Sequence, residues 1–393
     1  MSYPGCFSYH FTHFEELSDL EKNCIDVVYK AISYDKLHSI SLSPRVEKEL
    51  DPQVLKWLKR KFSPIASPST SGSNHITMVS PLDFKQTLDT SVMNQEKVRQ
   101  DILKMFDTVD EWNFDVFTLN DLCQGNTLFI TSYTLFLKYD FLNKFKIPEE
   151  TLVAFLKEVQ TRYRDNPYHN SMHAADVVQI MHYLIHKGGL KSLLSNEDTI
   201  AAIISALVHD LDHPGLNNAF QINTRSYLAT LYNDRSVLEN HHCAQAFELL
   251  RSPQFNFLIN MPQEQRKMVR GYIVDMILAT DMGEHSRICG QFKARVESEQ
   301  EFSSKEDIRL ILQMAIKFAD VSNPTRPNEL AIAWARRIEQ EFYQQGDKER
   351  ELSLSMSPFM DRGDSSLPKL QISFITKVVT PMLEQFCKVF PDM

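Results

Sequence analysis

The stretch Asp198-Thr199-Ile200-Ala201-Ala202-Ile203-Ile204-Ser205-Ala206-Leu207-Val208-His209-Asp210-Leu211-Asp212-His213-Pro214-Gly215 is apolar on every side of a helix from Ile200 to Val208, then turns abruptly polar. A helix that is hydrophobic all round has to be buried among other elements. Ser195-Asn196-Glu197-Asp198 supplies its start signal, a cap residue followed by acidic residues. Four further segments carry apolar residues at helical spacing: Glu96 to Val109, Leu152 to Tyr163, Asp176 to His186 and Ile308 to Phe318. Pro148-Glu149-Glu150 is another plain helix start. Strand-like alternation is nearly absent, and only 11 Gly and 17 Pro interrupt the chain. The expected fold class is therefore all-α, a bundle of many packed helices. No internal repeat is evident.

The first ninety or so residues read differently. Phe14 to Leu37 can hold an amphipathic helix with Leu17, Leu20, Cys24, Val27 and Val28 on one face. Asp51-Pro52 opens a short helix through Trp57 and Leu58. The run Ser63 to Asn74 is small, polar and proline-punctuated, which reads as a linker. The expected organisation is an N-terminal helical extension and linker over residues 1–95 and a larger domain over residues 96–393.

The chain has 393 residues and a net charge of −9. That charge argues against a nucleic-acid groove, which needs a basic stripe. It leaves room for a small anionic substrate, because a metal centre reverses the local field. No run of about 18 apolar residues suggests a membrane span. Met1 to Cys6 lacks the pattern of a secretory signal. Six scattered cysteines without a CxxC pair read as reduced thiols, so a cytoplasmic setting is expected.

Chemistry concentrates in three places. His169 and His173, four apart, share one helical face; two polar histidines at a helix start would explain them equally well. His209-Asp210 closes the apolar helix, and a buried carboxylate beside a histidine is costly unless something binds them. A divalent cation is the simplest partner, with a metal-free ion pair as the alternative. Asp320 closes a second apolar helix, Ile308 to Ala319. Together His173, His209, Asp210 and Asp320 make a mixed nitrogen and oxygen set that suits Zn²⁺ with open positions for water. Asp210 has a second oxygen for a harder ion, Mg²⁺ or Mn²⁺, and two such metals about 3.5–4 Å apart activate a bridging hydroxide. His169 is then left as a general acid, with Glu239 as the carboxylate to keep it protonated. His241 and His242 read as structural or supporting residues, since adjacent helical positions point about 100° apart.

These segments resemble the class I cyclic-nucleotide phosphodiesterases. The matching stretches, in order, are Asn166-Pro167-Tyr168-His169-Asn170 with His173-Ala174-Ala175-Asp176, His209 to Gly215, and Leu231-Tyr232-Asn233-Asp234 with Leu238 to His242. Then follow Leu278 to Met282, Ala319 to Pro324 and Gln371-Ile372-Ser373-Phe374. The likeness spans about residues 100 to 390. It implies about sixteen helices in three subdomains. It implies Zn²⁺ on His173, His209, Asp210 and Asp320, and Mg²⁺ on Asp210 and waters placed by His213, Glu239 and Thr280. It implies that His169 protonates the leaving O3′ and that the purine meets Gln371 and stacks on Phe374. Tyr168, Asn323, Ile338, Phe342 and Phe359 match other pocket positions. The implied reaction is hydrolysis of a 3′,5′-cyclic nucleotide to the 5′-monophosphate, with cyclic AMP favoured through Asn323. His242-Cys243-Ala244 and Pro358 to Arg362 look closer to members that take cyclic GMP or both. A broader HD-type phosphohydrolase and a nucleotide-binding pseudoenzyme are the competing readings; the Gln371/Phe374 pair argues against the first, the intact ligand set against the second. Relatives often form homodimers, although the sequence carries no interface signature.

Overall fold

The computed structural model describes residues 96–363 and 366–391. The expectations for residues 1–95, the helix from Phe14, the helix after Asp51 and the Ser/Pro-rich linker, lie outside the described residues. In chain order the α-helices are α1 Glu96–Phe106, α2 Val116–Leu122, α3 Thr127–Lys138, α4 Phe141–Lys144, α5 Glu149–Arg162 and α6 Ser171–His186. Then come α7 Asn196–Val208, α8 Asn218–Asn223, α9 Tyr227–Leu231, α10 Val237–Arg251 and α11 Gln263–Thr280. The last are α12 His285–Glu297, α13 Lys305–Val321, α14 Asn328–Glu351, α15 Leu367–Phe374 and α16 Thr380–Val389, the last two joined by a π-turn at Ile375–Val379. No strand occurs among the described residues, and the all-α expectation holds.

Several helices start where a side chain accepts from their unpaired N–H groups. Asp115 accepts from the amides of Phe117 and Thr118 at the head of α2, and Asn170 accepts from Met172 and His173 at the head of α6. Ser195 with Asp198, and Ser304 with Asp307, close reciprocal capping boxes on α7 and α13. Such caps contribute about 1 kcal/mol each. They also fix where each helix begins, and hence which side chains reach its ends.

Helix α7 is the buried rod that its composition predicts: every residue from Asp198 to Val208 is buried. It packs on α6 and α11, and α11 packs in turn on α13. α6 is buried over most of its length and also touches α3 and α13. Fully enclosed aromatics, among them Phe129, Phe136, Phe155, Phe257 and Phe318, fill the space between helices. Three segments at helix ends meet on this frame: the start of α6, the residues just past α7 and the last turn of α13. They carry His173, His209 with Asp210, and Asp320.

Candidate active site

His173 and His209 are fully buried. Their Nε2 atoms lie 3.2 Å apart. His173 Nε2 is 3.1 Å from Asp320 Oδ1 and 3.5 Å from Asp210 Oδ2. His209 Nε2 is 3.0 Å from Asp210 Oδ2 and 3.4 Å from Asp320 Oδ1. Nδ1 of His209 sits 3.0 Å from the Ala206 carbonyl, to which it can only donate. Its Nε2 therefore carries a lone pair when the ring is neutral. Lone pairs and carboxylate oxygens thus converge on one point, an arrangement that repels itself unless a cation or a proton sits there. All four ligand atoms lie within 4.8 Å of one another, so the set fits a divalent metal.

A second group adjoins it. Asp210, His213 and His242 also bring ligand atoms within 4.8 Å. His242 Nδ1 donates to the Leu211 carbonyl at 2.7 Å, which leaves its Nε2 facing Asp210 Oδ1 at 3.7 Å. His213 differs: the Gly215 amide donates to its Nδ1 at 3.0 Å, so its Nε2 carries a proton and is a donor. Burial and the neighbouring His169 push the His213 pKa well below the ordinary histidine value, favouring that neutral form. His241 turns away and meets Asp212 at 2.7 Å, in keeping with a structural role.

His169 is held by a residue the motifs did not point to. The sequence suggested Glu239 as its carboxylate. The structure instead pairs His169 Nδ1 with Glu341 on α14. Glu341 also accepts from the amides of Tyr168 at 2.9 Å and His169 at 3.0 Å. Burial works against protonating His169, but the Glu341 carboxylate outweighs it, with help from Asp210 and Asp320, and lifts its pKa to about 9. Glu239 instead accepts from Asn218 at 2.9 and 3.1 Å. Burial, with Asp281 nearby, pushes its pKa up to about 7. Glu341 was legible in principle: it lies three residues after Ile338 and just before Phe342, a charge on a face otherwise given to pocket residues. Thr280 is buried at the end of α11, its hydroxyl donating back to Ile277 at 2.8 Å.

A cavity of about 360 Å³ opens above these groups. Tyr168, His169, Asp320, Asn323, Ile338, Phe342, Gln371 and Phe374 all line it. Gln371 and Phe374 stand three apart on α15 and so share one face. Phe359 does not join them. The loop that carries it is tied down by Ser357 bonding Glu349 at 2.6 and 2.7 Å. The Met360 carbonyl fits so close to Gly346 that a Cβ there would lie 1.9 Å away. Phe359 is left 41% exposed and outside the cavity lining. Trp334 and Leu370, not singled out from the sequence, line it instead.

The sequence profile described as 3′5′-cyclic nucleotide phosphodiesterase matches residues 168–393. The chain belongs to that family. It is 40% identical over 292 residues to a probable 3′,5′-cyclic-AMP phosphodiesterase, pde-4, of Caenorhabditis elegans, covering 72% of this chain and 43% of that protein. It is 38% identical over 307 residues to the 3′,5′-cyclic-AMP phosphodiesterase 4C of Mus musculus, covering 76% and 45%. The chain thus spans less than half the length of these two curated relatives. Its fold matches a crystal structure of the phosphodiesterase domain of the RhoPDE fusion protein from the choanoflagellate Salpingoeca rosetta. That match has a TM-score of 0.69 and 34% identity, over 73% of this chain and 90% of the other.

Proposed function

We propose that this chain hydrolyses 3′,5′-cyclic nucleotides to 5′-monophosphates, with cyclic AMP favoured and cyclic GMP also accepted, and so ends a cyclic-nucleotide signal. The observation that carries the reading is the joining of a four-residue cluster suited to a metal ion to an apolar slot: Asp320 belongs to the cluster and lines the same cavity as Gln371 and Phe374. Family membership and the relatives named for cyclic AMP support it.

In this reading Zn²⁺ would be held by His173, His209, Asp210 and Asp320, and a second ion, Mg²⁺ or Mn²⁺, by Asp210, with His213, Glu239 and Thr280 positioned to hold its waters. Bound there, the two cations would offset the phosphate charge and supply a hydroxide near neutral pH. The chain's own residues do the rest. Phe374, Ile338 and Phe342 offer the purine a desolvated slot, while Gln371 and Asn323 present polar groups to its edge. His169, its Nδ1 tied to Glu341, lines the cavity and is left with Nε2 to give its proton to the O3′ oxygen as the P–O3′ bond breaks. His213 Nε2–H is a further donor beside it, the two rings stacking at 4.0 Å. The free thiols of Cys123, Cys243, Cys289 and Cys387 suit the expected cytoplasmic setting. No helix among the described residues is long and apolar enough to cross a membrane. The homodimer expectation rests on the resemblance alone.

The test is direct. Incubation with cyclic AMP should yield 5′-AMP, and His169→Ala should lower kcat by about 10²–10⁴-fold with metal content unchanged. Full turnover in His169→Ala would remove the acid assignment. No product from either cyclic nucleotide with the native chain would remove the reading itself.

A further inference from the structure

Of the amides that line the cavity, Gln371 and Asn323, the two assigned to the base in the reading above, are held very differently. Gln371 has no side-chain hydrogen bond to the rest of the described chain, and it is only partly buried. Asn323 is 5% exposed and is gripped at both ends of its amide. The Tyr168 hydroxyl donates to its Oδ1. Its Nδ2 donates to Asp176 Oδ2 at 3.0 Å. Asp176 lies on α6 three residues after His173, fully buried, and its other oxygen is ion-paired with Arg326, also fully enclosed.

The charge on Asp176 decides the orientation of Asn323. A carboxylate paired with a guanidinium only accepts hydrogen bonds, so the group turned towards it has to be an N–H. Turning the amide over would set Oδ1 against the Asp176 oxygens, two acceptors face to face in a buried place. Arg326 is itself tied down: it donates to Gln179 at 2.8 Å and to the Trp112 carbonyl at 2.5 Å. Asn323 thus keeps one N–H and one carbonyl lone pair, in a fixed order along the cavity wall. Adenine offers a donor (N6–H₂) beside an acceptor (N7), the complement of such a pair. Guanine puts the O6 acceptor where adenine has its donor.

We infer that Asp176, held by Arg326, is the positioning residue that fixes the hydrogen-bond polarity of Asn323 and thereby sets the preference for adenine over guanine. Neither Asp176 nor Arg326 touches the cavity; both act through Asn323. This rests on the cyclic-nucleotide reading above and adds to it the device that selects the base.

The test is the ratio of kcat/KM for cyclic AMP to that for cyclic GMP, with competition binding of 5′-AMP and 5′-GMP alongside it. Asp176→Asn keeps the shape but lets the neighbouring amide turn either way. It should raise KM for cyclic AMP about tenfold, leave kcat within about threefold, and cut the adenine preference about tenfold, the size of one good base-edge contact. In an Asn323→Ala background Asp176→Asn should change neither ratio further, which a general loss of packing would not reproduce. Should Asp176→Asn fail to fold, Tyr168→Phe removes the other hold on Asn323 and should shift the ratio the same way by a smaller factor. An unchanged preference in folded Asp176→Asn, or an equal loss with Asn323 already removed, overturns the inference. If the native chain turns over neither nucleotide the functional reading fails, while the 5′-AMP to 5′-GMP binding ratio still decides this one.

Discussion

His169 illustrates how a site residue depends on its partner. Its Nδ1 meets Glu341, and the same carboxylate takes the backbone amides of Tyr168 and His169, so ring position and proton are set together. In the proposed reaction the proton on His169 is consumed, so kcat/KM should fall as pH rises through its pKa. That value is about 9, and cations bound beside Asp210 and Asp320 would pull it lower. Glu341→Gln removes the strongest force raising it and leaves burial opposing the charge. The alkaline limb should then move to lower pH, and kcat at neutral pH should drop about tenfold or more. A pH–rate profile of the two proteins checks this; an unmoved limb would mean that Glu341 does not govern the proton. The ligand positions were readable from spacing because a carboxylate ending a buried apolar helix is conspicuous. The partners were not. Glu341 is 172 residues from His169 in sequence, and only the packing of α14 against the start of α6 brings them together. His242 was hidden for a similar reason: its contact with Asp210 depends on Leu211 fixing its ring.

At the scale of elements, the site is a meeting of helix ends, and caps and turns place it. Asn166 bridges two of the motif segments, donating at 2.8 Å to the carbonyls of both His169 and His213. Gly215 makes room for that bridge: its φ is +71°, and a Cβ there would stand 2.8 Å from Asn166 Oδ1. Gly215→Ala should cost about 1–2 kcal/mol for the left-handed conformation alone and should lower activity by more than its effect on stability explains. Thermal unfolding beside kcat/KM separates the two; a variant as stable and active as the native chain would show that the bridge is dispensable. Helix existence was legible for the most regular rods: α1, α5, α6, α7 and α13 each overlap a segment of apolar helical spacing, whereas the other helices had no segment marked out by spacing. Boundaries were less so. α6 begins at Ser171 because Asn170 caps it, five residues before the apolar pattern at Asp176 becomes visible. Phe359 shows how a motif position can lie apart from the cavity. A motif match gave it a pocket role, but a backbone contact between Gly346 and Met360 sets the path of its loop, and such contacts leave no periodic trace in sequence.

For the whole molecule, the buried frame of α6, α7, α11 and α13 and the polar cluster at its edge are coupled through one set of residues. His173, His209, Asp210 and Asp320 are charges or potential charges gathered in a buried place, and without a cation or a proton among them carboxylate oxygens and imidazole nitrogens face one another. A metal that binds only the folded chain stabilises it by an amount that grows with the logarithm of its concentration over its Kd. Removing it should therefore lower the unfolding temperature, and Asp320→Ala should lower it too while making it insensitive to chelator. Differential scanning calorimetry with and without EDTA reads both; equal melting of the native chain in the two conditions would contradict a structural contribution of the cation. The fold class followed from a composition poor in Gly and Pro and from helices apolar on all sides. The role of residues 1–95 did not, because a short amphipathic pattern shows that a face will be covered without showing by what. The most direct measurement is formation of 5′-AMP from cyclic AMP by chain stripped with EDTA and then supplied with Zn²⁺ and Mg²⁺. Turnover should vanish on stripping and return with the metals in the native chain but not in Asp320→Ala; undiminished hydrolysis in EDTA would contradict the account at its centre.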